Sequence, residues 1–192
     1  MKLLEDRILK DGTVSAGDVL KVDSFLNHQI DVELLESLAE EWYTRFRDCG
    51  VTKILTIESS GIALATLVAK RFKVPVVFAK KSKSQNLGAN VFSSRVVSYT
   101  RGQAYEVLIS KDYILKSDKI LLIDDFLARG SALKVLINLA ERGGAEVVGA
   151  GIAIEKAYQN GGKDIRSMGY RIESLAKIKN MSKDGSIEFE KD

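Results

Sequence analysis

Thirteen consecutive residues constrain this chain more than any other stretch: Ile120-Leu121-Leu122-Ile123-Asp124-Asp125-Phe126-Leu127-Ala128-Arg129-Gly130-Ser131-Ala132. Lys119 to Ile123 is a continuous apolar run, the pattern of a strand covered on both faces. It ends in two adjacent carboxylates, and a short loop with a glycine and a serine follows. Leu133, Leu136, Ile137 and Ala140 then recur at helical spacing and mark an amphipathic helix that stops at Gly143-Gly144. In open parallel sheets, ligands bind beyond the carboxyl ends of the strands, and Asp124 to Ala132 fall there.

The same alternation recurs on both sides of this segment. Val51 to Ile57 is β-branched and apolar, and Gly61 to Arg71 follows as a helix with Leu64, Leu67, Val68 and Arg71 on one face. Pro75 to Ala79 is the next short strand, and Val147 to Ile154 supplies another buried one. Strands alternating with helices predict an α/β fold: a mostly parallel, twisted sheet flanked by helices. Between Ser82 and Ser110 the pattern breaks into a long loop followed by a β-hairpin, a length often used for functional lids. In the first 50 residues, Lys2 to Lys10 is a short helix and Gly12 to Ile30 an irregular segment. Asp31 caps a longer helix whose face is Leu34, Leu35, Leu38, Trp42 and Phe46. Tyr170 to Glu190 reads as short strands. Both ends are too small to fold independently and are expected to pack over the central sheet. The chain is therefore a single domain over 1–192, with a core at 51–169, a flap at 82–110 and flanking elements at 1–50 and 170–192.

Composition narrows the function classes. Of 192 residues, 45% are hydrophobic, enough for a sizeable core. Lys and Arg number 29 against 26 Asp and Glu, a net charge of +3, which argues against a disordered charged tail and against a dedicated nucleic-acid partner. No uncharged stretch approaches the ~20 residues that span a bilayer, so no membrane partner is expected. The opening Met1-Lys2-Leu3-Leu4-Glu5-Asp6-Arg7 acquires acidic charge at once, which does not suit a signal peptide. The single cysteine, Cys49, fits a reducing compartment. A cytoplasmic protein is the expectation.

The chemistry of the central segment is that of anion and sugar binding. A helix N-terminus offers unpaired N–H groups and a positive dipole end to a phosphate. Gly130 permits close backbone approach, Ser131 adds a hydroxyl, and Asp124 and Asp125 can accept hydrogen bonds from sugar hydroxyls. The alternative is a serine that merely caps the helix and a solvated acidic strand end. Neither the Walker phosphate loop nor the dinucleotide fingerprint occurs.

This segment resembles the phosphoribosyl-pyrophosphate motif of the type I phosphoribosyltransferases: a hydrophobic strand, two acids, two apolar residues, then Ala/Asp-Thr-Gly-x-Thr. Here Arg129 replaces the usual first threonine and Ala132 the second. The Ala-Arg-Gly-Ser-Ala variant looks like the xanthine-using, purine-salvage branch of that family. The resemblance covers essentially the whole chain. Glu58-Ser59-Ser60-Gly61-Ile62 stands where the family's pyrophosphate loop lies. Phe78-Ala79-Lys80-Lys81-Ser82-Lys83 resembles the basic segment before the catalytic flap, and Ser98-Tyr99-Thr100-Arg101-Gly102 the far end of that flap.

The resemblance implies a fold of that type, with a small N-terminal/C-terminal hood and a flexible hairpin flap. It implies an enzyme that moves the phosphoribosyl group to xanthine and releases pyrophosphate. Asp124 and Asp125 would hold the ribose hydroxyls, and Ala128, Arg129, Gly130, Ser131 and Ala132 the 5′-phosphate. Ser59, Ser60 and Gly61 would bind pyrophosphate, with a plain helix cap as the alternative. Lys81, with Lys80 or Lys83, would meet pyrophosphate when the flap closes. Leu20 and Asn27 from the hood and Lys156 from Ile154-Glu155-Lys156-Ala157-Tyr158 would contact xanthine. A lysine ammonium has only donors, which suit an oxo group and reject adenine's amino group; a solvated strand-end lysine is the alternative. His28, beside Asn27, reads as a partly exposed hood residue. Magnesium would enter with the pyrophosphate substrate, with no dedicated protein site for metal. Relatives imply a homodimer. Two other functions stay open: a guanine- or hypoxanthine-preferring transferase, and a regulator of purine genes that binds the same sugar pyrophosphate.

Overall fold

The computed structural model describes residues 1–15, 19–82, 90–97, 104–182 and 185–190. In chain order it contains α1 (Lys2–Asp11), β1 (Thr13–Ser15), β2 (Val19–Lys21), α2 (Val32–Phe46), β3 (Lys53–Ile57), α3 (Gly61–Phe72) and β4 (Val76–Ala79). Then follow β5 (Val91–Val97), β6 (Ala104–Ser110), β7 (Lys119–Leu127), α4 (Ser131–Arg142), β8 (Glu146–Lys156), α5 (Gly161–Ser167), β9 (Ile172–Met181) and β10 (Ile187–Phe189). Six strands form the central sheet in the order β10-β9-β8-β7-β3-β4. Every neighbouring pair is parallel except β9 and β10.

The apolar run of β7 explains the layers. Successive strand side chains point to opposite faces. Leu121 and Ile123 pack with Leu35, Leu38 and Trp42 of α2 and Leu64 and Val68 of α3, whereas Ile120 and Leu122 pack with Leu133, Leu136 and Ile137 of α4. The Asp31 carboxylate accepts the Leu34 N–H at 3.1 Å and caps α2 as the sequence predicts. Trp42 is fully buried and its ring N–H donates to the Glu173 carbonyl at 3.1 Å, which docks α2 onto β9.

Four details differ from the sequence reading. Gly12 to Ile30 is not irregular: it contains the hairpin β1–β2 and a π-helical turn at Asp23–Asn27. β7 does not end at the acids but runs through them to Leu127, because β8 continues beside it, pairing Asp124 with Ile152 and Leu127 with Glu155. The C-terminal segment does not lie over the sheet; β9, ten residues long, extends it in parallel beside β8. α5 gave no signal because it opens on Gly161-Gly162, the poorest helix formers after proline.

The hairpin β5–β6 pairs from Val91 opposite Ser110 to Val97 opposite Ala104, and a bridge between Lys80 and Leu108 ties it to the end of β4. Lys83 and Ser98 to Gly102, singled out in the sequence, lie outside the described residues. No described helix is long and apolar enough to cross a membrane.

Candidate active site

The two acids sit near the carboxyl end of β7 and are almost entirely enclosed, Asp124 at 6% exposure and Asp125 at 7%. The reading of a solvated strand end is therefore wrong. The Asp125 N–H donates to Asp124 Oδ1 at 3.0 Å, and Asn27 Nδ2 donates to Asp125 Oδ2 at 3.2 Å. Burial pushes the Asp124 carboxyl well above the usual aspartate range, and the neighbouring Asp125 pushes the same way through its charge and hydrogen bonding. The Asp125 N–H and the Lys81 ammonium pull it back only in part. One of two touching carboxyls thus holds its proton more tightly than a free acid.

The loop after β7 turns into α4 at Gly130, whose φ of +77° is the left-handed region that favours glycine. Gly130 is the N-cap, and no side chain caps α4. The alternative role for Ser131 as a simple cap thus fails: the serine is the first helical residue, one position past the N-cap. Arg129 is exposed, whereas Gly130 is buried.

The second loop arrives beside the first. Ser60 is the N-cap of α3, again with no side-chain cap, which removes the plain-cap reading there too. The loop contains a cis peptide between Glu58 and Ser59. A Cβ added at Gly61 would lie 2.1 Å from Thr56 Oγ1 and 3.4 Å from Asp124 Oδ1. Only glycine lets α3 begin this close to the ribose-binding candidates. The N-terminus of α3 therefore lies beside Asp124, and α4 begins at Ser131, on the loop that follows the strand carrying both acids.

Lys81 is tied to this loop by its backbone, whose N–H donates to Glu58 Oε1 at 2.6 Å, while its exposed ammonium lies 5.9 Å from the centre of the Tyr105 ring. Burial, then the Asp124 charge, push the Tyr105 hydroxyl's pKa up, so the hairpin, Lys81 and Asp124 share one electrostatic neighbourhood.

The remaining candidates frame the cluster. Asn27 ends the π-helical turn and reaches Asp125 directly. Leu20 is buried on β2 with the hydrophobic layer that includes Val22, Phe25 and Leu26. Lys156 is half-buried at the last position of β8, one residue past the pairing of Leu127 with Glu155 and hence level with Ala128. His28 is exposed.

The sequence reading missed Thr56 and Tyr105, and it named Glu58 within the Glu58–Ile62 stretch without its bond to the Lys81 backbone. Thr56 is fully buried, and its hydroxyl has no hydrogen-bond partner among the described residues. Its one signal is a lone hydroxyl in the apolar run Ile54-Leu55-Thr56-Ile57. Tyr105 carries no signal beyond strand alternation. Among the described residues, no group of three or more His, Cys, Asp and Glu converges. The donors at the site are two carboxylates, hard oxygen ligands that suit magnesium held largely by substrate oxygens and water.

Comparison with known proteins agrees with this geometry. A model of the phosphoribosyl transferase domain matches residues 21–182, from β2 to the end of β9. The chain is 52% identical to a xanthine phosphoribosyltransferase of Finegoldia magna, covering 99% of this chain and 100% of that protein. It is 51% identical to one from Lachnoclostridium phytofermentans, with 100% of both covered. Solved adenine phosphoribosyltransferases share the fold. That of Giardia lamblia superposes with a TM-score of 0.76 over 91% of this chain and 97% of its own, at 21% identity. That of Rhodothermus marinus gives 0.75 over 92% and 98%, at 23% identity. With both acids and the loops that open α3 and α4 inside the matched region, the chain belongs to the phosphoribosyltransferase family and has its type I fold.

Proposed function

We propose that this enzyme transfers the 5-phosphoribosyl group from phosphoribosyl pyrophosphate to xanthine, giving xanthosine 5′-monophosphate and pyrophosphate in purine salvage. The observation that carries the reaction is the enclosed pair Asp124 and Asp125 at the end of β7, with the α3 N-terminus beside Asp124 and the α4 N-terminus on the loop that follows the pair. The choice of xanthine is supported by relatives of that name at about 51% identity over the full length.

In the reaction, a purine ring nitrogen forms a bond to the anomeric carbon as the bond to pyrophosphate breaks, and the ring N–H proton is released. Positive charge gathers on the sugar and negative charge on the leaving group. Such chemistry needs orientation, charge stabilisation and exclusion of water rather than a strong nucleophile. Asp124 and Asp125 hold the ribose hydroxyls and so fix the sugar as its anomeric carbon becomes positive. The backbone from Ala128 to Ala132 cradles the 5′-phosphate. Ser59, Ser60 and Gly61 receive pyrophosphate, and Lys81 adds positive charge to it. Magnesium bound with the pyrophosphate substrate would supply further charge neutralisation, with Asp124 and Asp125 as the carboxylates available to it. Lys156 donates to a purine oxo group, and Asn27 and Leu20 complete the base site. On the same reading residues 1–50 act as a hood, 82–110 as a closing flap, and the enzyme works as a cytoplasmic homodimer.

The test is pyrophosphate release measured side by side with xanthine, guanine, hypoxanthine and adenine. The expected result is highest kcat/KM with xanthine and negligible turnover with adenine. Preference for guanine or hypoxanthine would overturn the base assignment, and no release with any base would overturn the reaction.

A further inference from the structure

Another buried carboxylate lies one strand away from the acids, and the proposed reaction does not use it. Glu155, 2% exposed, immediately precedes Lys156 on β8. Its two oxygens accept from Arg166 in a fork, NH1 to Oε1 at 2.7 Å and NH2 to Oε2 at 2.7 Å, and Ser174 of β9 donates to Oε2 as well. The same guanidinium reaches the Ile172 carbonyl at the start of β9, at 3.4 Å. Such bidentate pairs fix geometry as well as charge.

Arg166 is carried by α5, and α5 is seated on the phosphate loop. The Gly161 N–H donates to the Ala128 carbonyl at 3.1 Å. A Cβ at Gly161 would stand 2.2 Å from that oxygen and 2.5 Å from the Arg129 carbonyl carbon, and one at Gly162 would stand 1.8 Å from Glu155 Oε1. On the far side, Ile165 Cδ1 lies 2.8 Å from where a Cβ of Gly130 would be. The glycine pair thus lets one short helix touch both the Ala128–Ala132 loop and the carboxylate beside Lys156.

We propose that Arg166 is a positioning residue whose fork on Glu155 locks α5 between the phosphate loop and the end of β8, and so sets the spacing between the phosphate and purine subsites. The proposal rests on the reading above, in which Ala128 to Ala132 hold the 5′-phosphate and Lys156 meets the base. Displacement transfer depends on that spacing, because the two substrates must meet in line. Glu155 itself faces Arg166 from α5 and Ser174 and Lys177 from β9.

The test compares wild type, Arg166→Lys, Arg166→Met and the double variant Glu155→Gln with Arg166→Met. KM for xanthine and for phosphoribosyl pyrophosphate and kcat are measured from pH 6 to pH 9. In Arg166→Met, both KM values are expected to rise on the order of tenfold at pH 8. They should fall again on acidification, as the stranded Glu155 takes up a proton. Arg166→Lys, which keeps the charge but not the fork, should recover only part of the loss. The double variant should lose the new pH dependence and recover further. If Arg166→Met does not fold, Arg166→Lys and the double variant carry the same comparison. A lowered melting temperature with both KM values unchanged, or a change in one KM alone, would overturn the link between subsites. Wild type preferring a base other than xanthine would instead overturn the underlying base assignment, while the response of KM for phosphoribosyl pyrophosphate would still decide the phosphate arm.

Discussion

Two enclosed carboxylates on neighbouring strands, Asp124 on β7 and Glu155 on β8, have opposite electrostatic fates. Burial raises the proton affinity of both. At Asp124 the nearest charged neighbour is another acid, and the carboxyl ends well above the ordinary value of 3.8. At Glu155 the Arg166 fork and the Ser174 hydroxyl outweigh burial and hold it below the ordinary value of 4.5. On the proposed reading, the difference separates a group that receives the sugar from one that builds the frame around it. A carboxyl that is to receive sugar hydroxyls must keep some acceptor capacity beyond its bond from the Asp125 N–H, which costs stability; a framing carboxyl commits its oxygens to fixed donors.

The largest expected effect tests the ligand side of that contrast. Replacing both Asp124 and Asp125 by Asn should lower kcat on the order of 10²–10³-fold, comparable to removing groups that stabilise charge in a transition state. Near-normal turnover would sink the ribose-holding role. On the framing side, Arg166→Met should destabilise the fold by about 2–4 kcal/mol at pH 8 in urea denaturation. That is below the usual cost of breaking a fully buried pair, because the arginine is 35% exposed. An unchanged midpoint would show that Glu155 is satisfied without its partner. Lys156→Ala, one residue from Glu155, should cost ~1.5–3 kcal/mol in kcat/KM for xanthine and narrow the preference over adenine. An intact preference would remove that lysine from base recognition.

The smallest effect is the sharpest discriminator. Since the native state holds the Asp124 proton more tightly than the unfolded chain does, native stability falls as pH rises from about 3.8 through the raised native value. Asp124→Asn should therefore raise the stability of the ligand-free protein at pH 8 by about 1 kcal/mol while lowering turnover. Glu155 works in the other direction: its pairing stabilises above the ordinary value of 4.5 and is lost as pH falls through the lowered native value. If Asp124→Asn lowered the melting temperature at pH 8, the two acids would not differ as the structure has them.

The legibility of the molecule follows the range of the interactions involved. β7, α4, α2 with its Asp31 cap, and β3 followed by α3 were all readable, because apolar period, capping and turn chemistry act over a few residues. The extent of β7 past its acids was not, since it depends on β8 continuing alongside. β9 was foreseen only as short strands, because joining the sheet beside β8 requires Ala150 to pair with Ile172. Within the site, Asp124, Asp125, Gly61 and Gly130 were visible in local motifs. Thr56 and Tyr105 were not, since a buried threonine and a hairpin tyrosine look ordinary until folding brings them near Asp124.

By itself, the sequence determined the strand, the two acids, the glycine turn and the helix, and with them the class of chemistry. These are local features, specified by hydrogen bonding and steric preference along a dozen residues. Only the tertiary structure decided which partners each buried charge meets. Asn27 meets Asp125 across 98 residues of chain, and Glu155 finds Ser174 on a different strand. A carboxyl's proton affinity depends on how much water folding removes and which partner it brings within hydrogen-bond distance, and neither is encoded in the residue's neighbours along the chain.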